Sequence, residues 1–317
     1  MNIEQFKEKK ILVTGASGFV GKNLVEELSR QGFTKILTPS SYDLNLTNEE
    51  HIKTYFKENK PEVVLHIAGL VGGIAANKAR PADFFYTNAM MSILINHYAH
   101  INGVEKVVSL AAGCGYPKEI PTPFTENDFW NGLPDMNSYG YSLAKKNLII
   151  SGWAYKEQYA LNTTVLLPAN LYGPYDNFHL ENSHVIPALI RKFITAKELN
   201  LSNVEVWGTG IATREFLYVG DTVKAIIDAM YCDEVGPFNL GTGVETSIKE
   251  LNETIAKLVG YKGKIIWEKT RPDGQPKRFY DMTKFKKAFG YVPSTTLEDG
   301  LKQTIKWYNE NKQKARL

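Results

Sequence analysis

Three apolar residues, Ile11, Leu12 and Val13, run into Thr14, Gly15, Ala16, Ser17, Gly18, Phe19, Val20 and Gly21, and a helical pattern carrying Leu24, Val25 and Leu28 follows. A strand that empties through a glycine turn into a helix is the context in which a glycine-rich match reads as a dinucleotide fingerprint. Gly15 permits the tight turn, Gly18 lets the backbone approach a pyrophosphate, and Gly21 lets helix and strand pack closely. The anion then rests on a helix N-terminus, where unpaired N–H groups favour negative charge. The spacing is Gly-x-x-Gly-x-x-Gly rather than Gly-x-Gly-x-x-Gly, and a purely structural turn is the competing reading. On the first reading Gly15, Ser17, Gly18, Phe19 and Val20 contact the cofactor.

The second strand, Lys35 to Thr38, bears on cofactor choice. A carboxylate at its end usually selects NAD by accepting from the ribose 2′-hydroxyl. Here Pro39, Ser40 and Ser41 follow instead. No acid repels a 2′-phosphate, and both serines can donate to one, but no arginine pairs with it. The reading is NADPH/NADP, with NAD not excluded. A third strand, Val63 to Ile67, is near-continuously apolar, as suits a parallel strand buried on both faces. It ends in Ala68 and Gly69, small enough to leave room for a cofactor. His66 reads as a buried structural histidine.

A long helical pattern from about Asp83 to Ile101 precedes a strand at Lys106 to Leu110. That strand leads through Ala111, Ala112, Gly113, Cys114, Gly115, Tyr116 and Pro117 to a helix carrying Tyr141 and Lys145. Residues four apart share a helix face. The lysine cation favours the phenolate and should depress the tyrosine pKa. An isolated Tyr-x-x-x-Lys is more often an ordinary helix with a half-buried Tyr and a solvated Lys. A last buried strand, Thr164 to Leu167, ends in a loop with Asn170 and Leu171, whose backbone could hold a nicotinamide carboxamide. Alternating strands and helices indicate an α/β fold, a Rossmann doubly wound parallel sheet with ligands at the carboxyl ends of its strands. The glycine turn and the Cys114, Tyr141 and Lys145 set then face one crevice.

At 317 residues the chain exceeds one typical core. We expect a dinucleotide-binding domain over 1–170 with a return segment near 216–241, and a smaller C-terminal α/β substrate domain from 171–215 and 242–317. A net charge of +3 is too small to imply a nucleic-acid partner. No apolar run approaches a membrane span. The two cysteines, Cys114 and Cys232, lack a disulfide framework and fit a reducing compartment, so a cytoplasmic enzyme is expected. No Cys/His spacing supports a metal. The polar tail from Asn309 to Arg316 reads as a frayed helix end.

The glycine turn with Tyr141 and Lys145 resembles the extended short-chain dehydrogenase/reductases. More narrowly, the chain resembles the GDP-L-fucose synthase family, NADPH-dependent 3,5-epimerase/4-reductases of GDP-4-keto-6-deoxy-mannose. The resemblance is carried by Val71 to Ile74, Cys114 to Pro117, Asn170 to Phe178, Asn182 to Leu189, Val206 to Gly208 with Arg214 to Phe216, and Pro272 to Gly274. It implies that Tyr141 protonates the C4 oxygen during hydride transfer while Lys145 tunes it and holds the nicotinamide ribose. It implies that Cys114 and His184 are the acid/base pair of epimerisation. A C4 ketone acidifies the C3 and C5 protons, and thiol and imidazole titrate near enough to neutrality to move them. Asn170, Lys192, Trp207 and Arg214 fall where the family binds the GDP-linked 4-keto sugar. A homodimer through the two long helices is a family expectation.

One residue departs from the pattern. The family places a serine two residues before the cysteine, where its hydroxyl joins the tyrosine on the C4 oxygen. Here that position is Ala112, and Ser109 falls inside the strand. Losing one such donor typically costs on the order of 100- to 1000-fold in rate. Two further readings therefore stay open: a C4-reductase only, on a GDP-4-keto-6-deoxy hexose or heptose, and a non-catalytic NADP-binding sensor.

Overall fold

The structure, a computed structural model, describes residues 3–180, 183–270 and 275–316. Its centre is a sheet of β1 (Ile11–Thr14), β2 (Ile36–Leu37), β3 (Val63–His66), β4 (Lys106–Leu110), β5 (Thr163–Pro168) and β6 (Phe238–Leu240). The order across the sheet is β6-β5-β4-β3-β1-β2, every pair parallel. The fold is the doubly wound α/β sheet expected from the sequence. The order reverses beside β1, which is where such sheets form a ligand crevice.

The apolar strands are explained by two-sided burial. Ile11, Val13, Val63, Leu65, Val108 and Leu110 point into one core with Leu24, Leu28, Val223 and Ile226. Their neighbours Leu12, Val64 and Val107 point into the opposite core with Ile52, Phe56, Leu94 and Ile95. Period-two alternation between two apolar layers puts apolar residues at successive positions, with the polar residues of these strands (Thr14, His66, Lys106, Ser109) buried as well. Each such Val or Leu stabilises the fold by about 1.5–3 kcal/mol on burial. Helices Phe19–Arg30 and Val219–Ala229 supply the first layer, and Glu49–Asn59 and Pro81–Ile101 the second. The Pro81–Ile101 helix also lies along Tyr139–Tyr159.

A separate apolar cluster joins Phe178, Ile190, Phe193, Val204, Val206, Leu251, Ile255, Leu301 and Ile305. Its helices are Val185–Glu198, Ile248–Val259 and Leu297–Glu310, with a parallel strand pair, Asn203–Trp207 and Lys264–Glu268.

Two local readings change. The second strand shrinks to Ile36–Leu37, since Pro39 has no N–H to continue a ladder. The tail is not a frayed end. Beyond Glu310 it returns to the loop after β5, where the Phe178 N–H donates to the Arg316 carbonyl at 2.8 Å. Asn182 and the Pro272 to Gly274 segment lie outside the described residues. No helix among the described residues is long and apolar enough to cross a membrane.

Candidate active site

A cleft of about 1510 Å³ runs along the carboxyl ends of the central strands. One end is the glycine turn, where Gly15, Ser17, Gly18, Phe19 and Val20 line the wall. Gly15 has φ +74°, and a Cβ there would lie 2.8 Å from the Ala68 Cα. A Cβ at Gly21 would sit 2.1 Å from the Gly15 carbonyl oxygen. Both glycines are thus required by closeness, and they bring the first turn of Phe19–Arg30 against β1. Gly18 caps that helix without a side-chain hydrogen bond, so its leading N–H groups face the cleft for an anion. Ala68 lines the same wall. These residues fit a dinucleotide pyrophosphate.

His66 lies beneath. Its Nδ1 is 2.9 Å from the Thr14 hydroxyl, which accepts from the Ala68 N–H at 3.3 Å. Burial first, and the Lys145 cation second, hold the His66 pKa down to about 3, so the ring is a neutral imidazole. His66 ties β1 to β3, as expected of a structural histidine.

Tyr141 and Lys145 both face the cleft from the Tyr139–Tyr159 helix. The Lys145 ammonium is buried, lies 6.0 Å from the Tyr141 ring centre, and donates to the Leu110 carbonyl at 3.2 Å. Desolvation, partly offset by Cys114, lowers its pKa to about 8. The Tyr141 phenol departs from the sequence expectation. Burial first, and Cys114 second, push its pKa above the ordinary value. The desolvation penalty on the phenolate exceeds what a lysine at this distance returns. A phenol held neutral is a proton donor.

Cys114 stands on a short 3₁₀ turn, Gly113–Gly115. The flanking glycines are fixed by their neighbours: a Cβ at Gly115 would meet the Phe129 ring at 2.2 Å. Burial raises the thiol pKa, opposed by a hydrogen bond with Ser142 and by the Arg278 and Lys145 cations. The Arg278 guanidinium donates to the Gly113 carbonyl and clamps the turn. His184 is the N-cap of Val185–Glu198 and lines the cleft. Partial desolvation by the cleft walls lowers its pKa, although 57% of its side chain is exposed. Cys114 from the parallel-sheet side and His184 from the second core meet in one cleft with Tyr141 and Lys145. Ser109 is buried within β4, and Ala112 faces the cleft.

The substrate residues divide. Asn170 and Arg214 line the cleft, as does Leu171 of the cofactor set. The Asn170 amide donates to the Glu215 carbonyl at 2.9 Å, and Arg214 donates to the Thr213 and Gln275 carbonyls at 2.6 Å. Lys192 and Trp207 are not part of the cleft wall. The strand Asn203–Trp207 turns Val204 and Val206 inward, so Glu205 and Trp207 point out. Lys192 donates to the Glu205 carbonyl, and Trp207 is 59% exposed. Ser41 lines the cleft but Ser40 does not. The Ser40 N–H and hydroxyl both donate to the Asp43 carboxylate, at 3.0 and 2.7 Å. That turn removes Ser40 as a ready phosphate donor and sets an ionised carboxylate nearby.

Residues 11–241 match the model of the NAD dependent epimerase/dehydratase family. The chain belongs to this family. Among the epimerase/dehydratase proteins it resembles the putative GDP-L-fucose synthase 2 of Arabidopsis thaliana, 41% identical over 96% of this chain and 93% of that protein. A GDP-L-fucose synthetase from Naegleria fowleri bound to NADP superposes with a TM-score of 0.91 at 30% identity, covering 98% of this chain and 96% of that one. A GDP-mannoheptose C4 reductase from Campylobacter jejuni with NADP bound superposes at 0.88 and 31% identity, covering 96% of this chain and 99% of that one.

This epimerase/dehydratase cleft also holds residues that sequence reasoning missed. Asp176, Arg278, Tyr280 and Arg316 all line it. They come from separate chain segments, and no local spacing marks them. Only Asp176 lies inside a segment that carries the resemblance.

Proposed function

We propose that the protein reduces a GDP-linked 4-keto-6-deoxy sugar at C4 with NADPH and epimerises it at C3 and C5. The observation that carries this is the meeting of two proton-moving pairs, Tyr141/Lys145 and Cys114/His184, in one cleft beside the dinucleotide turn. Bound there, the nicotinamide supplies hydride to C4. Gly15, Ser17, Gly18, Phe19, Val20, Ser41, Ala68 and Leu171 would line its path, with Lys145 at the ribose. NADP is favoured over NAD by Ser41 and by the absence of an acid directly after the second strand, while the turn that Ser40 makes with Asp43 opposes it.

In the epimerase steps a base removes the proton from C3 or C5, and the C–H electron pair moves toward the C4 oxygen as an enolate. The partner group returns a proton to the other face. Cys114 and His184 fill these two places. The neutral Tyr141 phenol donates to the C4 oxygen throughout. In reduction it transfers its proton to the developing alkoxide, and the Lys145 cation stabilises the phenolate left behind. Arg214 and Asn170 hold the nucleotide end in this reading, with Lys192 and Trp207 at the outer rim. The parallel-sheet lobe binds cofactor and the second core binds substrate, with the boundaries at 170, 216–241 and 242 given above.

A second reading is C4 reduction alone on a larger, heptose-based substrate, with epimerisation by another enzyme. Ala112 favours it, because the missing hydroxyl frees space at the C4 oxygen. Consumption of NADPH with a panel of GDP-4-keto hexoses and heptoses, followed by product NMR, separates the two. No consumption with any of them, in a protein that still binds NADPH, is the sensor outcome and contradicts both.

The Pro81–Ile101 and Tyr139–Tyr159 helices expose Phe85, Tyr86, Ile93, Ile150 and Trp153. This apolar surface supports a homodimer across the helix pair, tested by sedimentation equilibrium. The two free cysteines support a reducing, cytoplasmic setting.

A further inference from the structure

Asp176 is a carboxylate in an unusual place. Its side chain is 3% exposed, yet it lines the cleft. Oδ1 accepts from the Asn177 N–H at 2.7 Å. Oδ2 is buried without a hydrogen-bond partner. An orphaned buried carboxylate oxygen is costly, and its retention calls for a partner that arrives during function. The nearest candidate is His184, whose Nδ1 lies 4.0 Å from Oδ1. That is ion-pair reach, a small side-chain rotation from a hydrogen bond.

We propose that Asp176 is a positioning residue for His184, pairing with Nδ1–H so that Nε2 faces the sugar and the imidazolium is stabilised when the ring carries a proton. This rests on the acid/base role proposed above for His184. The energetics agree with the geometry. Desolvation raises the Asp176 pKa to about 7, opposed by the Asn177 N–H and by the Arg316 cation of the C-terminal segment. Desolvation lowers that of His184. Each group alone resists its charge. A hydrogen bond closed across the 4.0 Å gap offsets part of both penalties, so that a proton gained by the imidazole during turnover is held beside the carboxylate. Arg316 and His184 are cationic groups that face Asp176.

The test is the His184 imidazole titration by NMR in the wild-type protein and in Asp176→Asn, with the resonance assigned through His184→Gln. Loss of the carboxylate should lower the His184 midpoint by about one pH unit. Deuterium exchange at C3 and C5 of GDP-4-keto-6-deoxy-mannose in D₂O should fall roughly 10- to 100-fold, with NADPH affinity unchanged and part of the rate restored by Asp176→Glu. An unchanged midpoint overturns the pairing, whatever the exchange rate. A lowered midpoint in a protein whose wild-type form shows no exchange upholds the pairing and overturns the epimerase reading instead. If Asp176→Asn does not fold, His184→Gln gives the same answer from the other side. The Asp176 carboxyl, followed by ¹³C NMR, then titrates at higher pH if the groups are paired and is unmoved if they are not.

Discussion

A Cβ built on Gly113 would lie 1.7 Å from the Tyr280 hydroxyl oxygen. Tyr280 cannot retreat freely: it is buried, and its hydroxyl donates to the Pro168 carbonyl at 3.3 Å at the end of β5. Its backbone N–H donates to the Glu215 carboxylate at 2.9 Å. The residue beside Cys114 is thus set by contact with a segment far along the chain. Gly113→Ala should displace the turn and with it the thiol. We expect a stability loss of about 1–3 kcal/mol by denaturant unfolding. Deuterium exchange into the sugar should fall more steeply than NADPH oxidation.

The buried Lys145 sets a pH limit on reduction. Its pKa is lowered to about 8, chiefly by desolvation. The ammonium predominates below that pH and is lost above it. NADPH-dependent reduction should therefore decline as pH rises through about 8, approaching tenfold per further unit. Lys145→Arg should remove that decline, since a guanidinium keeps its charge, while lowering the rate at all pH values. A profile flat to pH 10 in the wild-type protein would contradict the role given to Lys145.

Asp43 is exposed, and its hydrogen bonds with Ser40 lower its pKa, so it is ionised at neutral pH. A 2′-phosphate brought to this corner meets a like charge. Asp43→Asn should lower KM for NADPH a few-fold at low salt, with a smaller gain at high salt as screening grows. KM for NADH should not change.

Ala112 lines the cleft at the N-cap of the Cys114 turn. Ala112→Ser restores a donor beside the C4 oxygen. On a 6-deoxyhexose substrate kcat should rise on the order of 10-fold, less than a fully preorganised donor supplies. On a heptose substrate it should not rise. An equal effect on both would show that residue 112 does not distinguish sugars by size.

The sheet was readable because two-sided burial puts apolar residues at successive strand positions, as in Val63 to Leu65 and Val107 to Val108. The glycine turn was readable because closeness at Gly15 and Gly21 admits no side chain. Tyr141 and Lys145 were readable only because their helical spacing follows a strand whose carboxyl end shares a crevice with the glycine turn. What sequence could not show was set by distant contacts. Arg278 and Tyr280 reach the Cys114 turn from more than 150 positions away. Arg316 returns through a backbone hydrogen bond that has no sequence signature. Trp207 stands outside the cleft wall because strand parity turns the 205/207 face outward, and Lys192, on the Val185–Glu198 helix, is drawn to the Glu205 carbonyl of that strand. The direction of the Tyr141 pKa depended on how dry its wall is, which helix spacing does not encode.

The most direct measurement is NMR of GDP-4-keto-6-deoxy-mannose incubated with the protein in D₂O without NADPH. With Cys114 and His184 working in one cleft, deuterium should enter at both C3 and C5 in the wild-type protein. It should be lost in Cys114→Ala and His184→Gln and persist, more slowly, in Tyr141→Phe. No deuterium at either carbon, in a protein that still oxidises NADPH with the same sugar, would contradict the paired acid/base site and leave a C4 reductase alone.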